Sequence, residues 1–145
     1  MKLNYGRILG AGLVFGIIAQ VIHTVAATFE MSYYMQSAYF CLWSSLMMPH
    51  AGPPGMQFFM YAILFSIISG IIFAWTYAIV NKSIPDKGAY KGLWFGVLLF
   101  FAVAFTGTLS MYLLLAIPTA LLMLWALENF IIFLIGGVAI SKIYK

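Results

Sequence analysis

Apolar positions along this chain neither alternate nor form a single helical stripe. They run on for twenty residues or more at a time, and polar residues gather between the runs. Four such runs stand out, at 8–28, 56–80, 92–112 and 119–140. The first is interrupted by Gln20, His23 and Thr24, the second carries no charge, and the fourth contains Glu128. A bilayer core about 30 Å thick is crossed by about 20 apolar residues in helical form. Hydrocarbon cannot satisfy bare backbone groups, so each run is expected to be a helix. Pro118 separates the last two runs, at a helix start where the missing N–H costs little. The expected fold is therefore all-α and integral to the membrane: a single domain over 1–145, with four transmembrane helices in two helical hairpins. An outer segment, 29–55, and a basic loop, 81–91, complete it.

Composition agrees with this. Of 145 residues, 65% are hydrophobic and only 7% charged, whereas a soluble domain carries about 25% charged residues. Mean hydropathy is +1.06. A soluble enzyme, a disordered chain and a disulfide scaffold are excluded, the last also by the single Cys41. The net charge of +4 resides in Lys2, Arg7, Lys82, Lys87, Lys91, Lys142 and Lys145. With four spans, all seven fall on one side, which the positive-inside rule makes cytoplasmic, together with both termini. The basic balance is thus a topology signal and implies no nucleic-acid partner. A multi-pass protein of a cell membrane is expected, in a prokaryote the cytoplasmic membrane. Val25-Ala26-Ala27 has the look of a signal-peptidase site, but the preceding apolar core is long for a signal, so the first run is read as a true span.

Two further patterns concern packing. Gly12-Leu13-Val14-Phe15-Gly16-Ile17 is echoed by Gly92-Leu93-Trp94-Phe95-Gly96-Val97, each opening an odd-numbered span after basic residues. The echo hints at two hairpins related by a repeat. Small residues also recur at every fourth position, as in Ala62, Ser66, Gly70, Ala74 and Ala78, with Gly136 on span four. Such stripes let helices approach closely, either within a bundle or between protomers. A homo-oligomer or a larger membrane complex is expected on this ground. In the outer segment, Ala38–Met48 is too short to span and, with Tyr39 and Trp43, is expected to form an interfacial or re-entrant helix. Gly52-Pro53-Pro54-Gly55 then makes a turn.

Candidate chemistry is sparse. Glu128 lies nine residues into span four, roughly 14 Å from its outer end and so near the midplane. No Lys or Arg lies in any span, so Glu128 is expected to hold a proton or to hydrogen-bond to polar groups on other helices. Gln20, Ser66 and Ser69 lie at similar depth, His23 and Thr106 about one turn further out. Glu30 is expected to be solvated at the outer interface. His23 can titrate near neutral pH, but a bis-histidine haem is disfavoured because His50, the other histidine, lies in the outer segment. Met31, Met35, Met47, Met48, Met56 and Met60 cluster with Cys41 and His50. Soft ligands suit Cu(I), so Met47, Met48, His50 and Cys41 are weak candidates for an outward-facing copper site. There is no phosphate loop, zinc-protease motif or nucleophile elbow, and neither a cofactor nor enzyme activity is expected.

Three functional classes remain. The leading expectation is a small oligomeric transporter or channel with a midplane proton- or cation-binding carboxylate, Glu128, and a path lined by Gln20, His23, Ser66 and Thr106. The second is a non-catalytic subunit or assembly factor, whose small-residue stripes and outer aromatic–methionine segment would dock another membrane protein or lipid; the helix-packing candidates are Gly12, Gly16, Ser66, Gly70, Ala74, Gly92, Gly96 and Gly136. The third is the copper protein.

Overall fold

The computed structural model describes residues 3–48 and 53–145, and among these it contains helices and no strand. Helix α1 is Tyr5–Tyr34, α2 is Met56–Val80, α3 is Gly88–Leu99, α4 is Thr106–Leu114 and α5 is Thr119–Ile143. A six-residue π-helical stretch, Phe100–Phe105, joins α3 to α4, so the two form one continuous rod. With that rod counted once, four helices are long and apolar enough to cross a membrane. Their outward faces carry residues such as Ile17, Val21, Ile72, Leu98 and Leu127, all exposed. An apolar exterior of this kind is stable against lipid, not water. The chain is thus compatible with a multi-pass integral membrane protein.

Local chemistry sets the helix ends. The Asn4 side chain caps α1 by accepting from the Arg7 N–H at 3.1 Å. The Asn81 amide closes α2 by donating to the Ala78 carbonyl at 2.7 Å. A tight turn before α3 places Asp86 at φ 70° and Gly88 at φ 58°, and both residue types tolerate this left-handed region. The Trp94 indole N–H donates to the Asp86 carboxylate at 3.0 Å and holds the turn against the helix. The α1 start, α2 end, α3 start and α5 end, with the lysines around them, lie together and are termed the basic end; the opposite end is the far end.

Glycine dictates the packing. A Cβ on Gly12 would lie 2.6 Å from Ile71 Cα, and one on Gly16 would lie 2.9 Å from Ile67 Cα, so α1 and α2 cross backbone to backbone, with Gly70 opposite them. The second pair repeats the arrangement: a Cβ on Gly92 would lie 2.6 Å from Val138 Cα, and one on Gly96 2.9 Å from Leu134 Cα, with Gly137 opposite. The echoed glycine pairs therefore do the same work in α1 against α2 and in α3 against α5. Gly137 completes the second crossing and is not in the four-residue stripes read from the sequence. Gly136 instead accepts the Phe15 ring, joining α1 to α5. Gly12, Gly16, Gly70, Gly92, Gly96 and Gly136 are thus taken up by contacts within the chain. Between the pairs, Phe15, Phe73 and Phe133 form an aromatic layer with centroids 5.3–6.2 Å apart. Nearer the basic end Tyr77 of α2 meets Phe95 of α3 at 5.0 Å.

The outer segment differs from expectation. In place of a helix over Ala38–Met48, a single 3-10 helix spans Ser37–Leu42 and is followed by turns. Trp43 folds back to meet Tyr34 at 5.3 Å and Trp125 at 6.4 Å between ring centroids. Helix α1 also overruns its expected span: thirty residues at 1.5 Å per residue give about 45 Å, well beyond a hydrocarbon core of about 30 Å.

Candidate functional site

Both glycine crossings lie toward the basic end. Beyond them a cavity of about 850 Å³ opens in the far half of the bundle, with Phe58, Phe65 and Met111 in its lining. Its floor is the Phe15–Phe73–Phe133 layer, and Met31, Met35, Met47, Met48, Pro53 and Pro54 stand around its mouth. Helices α1 and α5 supply the polar wall, while α2 and α4 face each other across the space. The small-residue stripe of α2 divides at this level. Gly70, Ala74 and Ala78 are buried in packing, whereas Ala62 and Ser66 line the cavity.

The polar wall centres on one contact: His23 Nδ1 lies 2.6 Å from Glu128 Oε1, linking α1 to α5 across 105 positions of sequence. One proton occupies the contact in either assignment. The imidazole N–H donates to a carboxylate, or a carboxyl O–H donates to a neutral imidazole. Glu128 is 8% exposed, while the His23 side chain is 44% exposed, so the buried acid reaches the open space through the histidine. A charged carboxylate in such surroundings is costly unless it is paired, and His23 is the partner the fold provides. It is also the only ion pair among the described residues.

A second acid lies in the same wall. Glu30 is 4% exposed, which corrects the expectation that it is solvated. The Tyr34 hydroxyl donates to Glu30 Oε2, and the Trp125 indole N–H donates to the Tyr34 hydroxyl at 3.1 Å. The last turn of α1 and the returning Trp43 cover a carboxylate that would otherwise meet water. Glu30 Oε1 is left without a hydrogen-bond partner, as is the buried Gln20 Oε1. The spacing of Glu30 and Tyr34 by four residues, which places them on one helix face, was the available signal. Nothing local pointed to Trp125 as their neighbour.

The remaining expected residues divide. Gln20, His23, Ser66 and Glu128 line the cavity together, with Asn129, whose amide donates to the Trp125 carbonyl at 2.8 Å. Thr106 does not line it. Its hydroxyl donates back to the Ala102 and Val103 carbonyls at 3.0 and 3.1 Å on an exposed face, and Thr108 takes the wall position. The π-helical stretch explains the shift, because a wider turn uses more residues and leaves the following register late. Of the weak copper candidates, Met47 and Met48 stand at the mouth, Cys41 is exposed and outside the lining, and His50 lies outside the described residues. Among the described residues no Lys or Arg lines the cavity. The wall can therefore hold a proton between imidazole and carboxylate.

No protein-family model, no curated protein and no solved structure matches this chain.

Proposed function

We propose that the protein is a small non-enzymatic transport protein of a cell membrane that takes a proton or a cation into the far-end cavity, with His23 and Glu128 as the binding pair. The observation that carries this reading is the 2.6 Å His23–Glu128 contact in the wall of a cavity of about 850 Å³. An acid whose sole task is to tie helices together needs no chamber beside it. Among the described residues no Lys or Arg lines the cavity, so no fixed cation competes for the pair. The positive-inside rule assigns the basic end to the cytoplasm, so the cavity faces outward. A second copy of the chain, packed across the faces of α2 and α4, would wall the cavity from lipid, and we take the working form to be a homo-oligomer.

The test is carboxyl infrared difference spectroscopy in nanodiscs, comparing wild type with Glu128→Gln, with protons and candidate cations varied in turn. A Glu128 band that moves when one cation is added, and is absent from the variant, supports the site and identifies the ion. A band unmoved by pH and by every cation makes the pair a structural tie and overturns the reading. The subunit reading would then lead.

A further inference from the structure

The basic end holds a second concavity, unrelated to the far-end cavity. It is a cleft of about 380 Å³ where the end of α2, the start of α3 and the end of α5 converge. Lys87, Lys91, Lys142 and Lys145 stand around it, and Tyr77, Ser141 and Tyr144 contribute to its lining. One acid, Asp86, also lines it and keeps its charge there while accepting from the Trp94 indole at 3.0 Å, so the lysines outnumber the acid side chains around the cleft four to one. Among the described residues none of the four ammonium groups forms an ion pair. Helix α3 starts at this cleft, and Lys87 at its N-cap makes no side-chain cap, so the first-turn N–H groups are left for another acceptor. Gly88, at φ 58°, lines the cleft and has nothing within 4 Å of where a Cβ would stand.

A helix N-terminus and converging ammonium groups both favour a compact anion. The positive-inside rule accounts for lysines at this end, but not for four of the seven basic residues around one cleft while Lys82, in the same loop, stands outside it. We propose that this cleft binds the phosphate of an anionic phospholipid headgroup. The lipid is favoured over a soluble phosphate because the cleft lies at the ends of the spanning helices, at headgroup level, where basic pockets between helices meet lipid phosphates. The Tyr77 and Tyr144 hydroxyls and the first-turn N–H groups would hold the phosphate oxygens, the lysines would supply the countercharge, and the acyl chains would run along the α2 and α3 surfaces; the Ser141 hydroxyl already donates to the Val138 carbonyl at 2.9 Å.

The experiment uses the full-length protein in mild detergent, with lipid binding read by native mass spectrometry. Phosphatidylglycerol is titrated against phosphatidylcholine, for wild type, Lys91→Gln, Lys142→Gln and Lys82→Gln, with inorganic phosphate added as competitor in a separate arm. A surface lysine near anionic lipid contributes about fivefold in binding. The expected result is a preference for phosphatidylglycerol that falls about fivefold in each cleft variant, persists in Lys82→Gln, and survives millimolar phosphate. These lysines are exposed or half-buried and are not needed for packing, so the variants should fold, which near-ultraviolet circular dichroism checks. The proposal is overturned by equal binding of the two lipids. An equal loss in Lys82→Gln would overturn it too, since the attraction would then be that of the whole basic end. Complete displacement by inorganic phosphate would replace the lipid with a soluble ligand.

Discussion

Replacing Gly12 by alanine tests the packing that gives rise to the cavity. The new Cβ would stand 2.6 Å from Ile71 Cα and 2.7 Å from Ile71 N. Ordinary carbon–carbon contact lies at about 3.5–4.0 Å, so α1 and α2 must separate by about 1 Å at their crossing. The opposing atoms are backbone and cannot swing aside as a side-chain tip would. A gap of 0.5–1 Å forfeits about a quarter to a half of each dispersion contact along the seam, and overpacking of this kind costs about 1–3 kcal/mol. Gly10→Ala, two residues away on the same helix, is the matched control, because a Cβ there has nothing within 4 Å. Both variants gain similar helix propensity, about 1 kcal/mol, so their difference isolates the crossing. SDS-induced unfolding in mixed micelles, followed by tryptophan fluorescence, should place Gly12→Ala about 1–3 kcal/mol below Gly10→Ala. Equal stability would show that α1 and α2 do not cross at Gly12, and the account of why the cavity opens would fall with it.

Three more outcomes follow from the site. A double-mutant cycle of His23→Leu and Glu128→Leu, read by the same unfolding assay, should give a coupling of about 0.6–1.7 kcal/mol, the range for hydrogen bonds between membrane helices; zero coupling would mean that the pair does not meet. In a Cys41→Ser background, Ser66→Cys and Thr108→Cys should react with a small charged thiol reagent added from outside while Thr106→Cys stays protected, and the reverse order would place the α4 register wrongly. Glu30 should resist a water-soluble carbodiimide in the folded protein and react in SDS, as judged by peptide mass spectrometry; rapid reaction in the folded state would return it to the solvated interface.

Much of the architecture was legible in the order of residues, because spanning a bilayer imposes a local rule. Each helix must satisfy its own backbone and present about 20 apolar residues, so the four helices and their breaks at Pro118 and around Gly55 and Gly88 can be read without any knowledge of neighbours. The glycine pairs at 12 and 16 and at 92 and 96 were equally visible as small-residue stripes. Glu128 stood out because an acid within an apolar run is costly wherever the helix sits.

What the sequence left open depends on which faces meet. A stripe of glycines is the same string whether it contacts its own chain or another, and only the backbone approach of Gly12 to Ile71 and of Gly92 to Val138 assigns it to the interior. Depth along an ideal helix placed Thr106 beside the site, but the wide turn at Phe100–Phe105 moved the register and brought Thr108 there instead. Glu30 reads as an interfacial acid until Tyr34, Trp43 and Trp125 close over it, and those three come from an overlong helix, a returning loop and another span. The pairing of His23 with Glu128 bridges 105 positions. Local propensity and hydropathy therefore determined the helices and their number. Long-range packing, tight where glycines cross and open beyond the Phe15–Phe73–Phe133 layer, decided the cavity and the residues that share it.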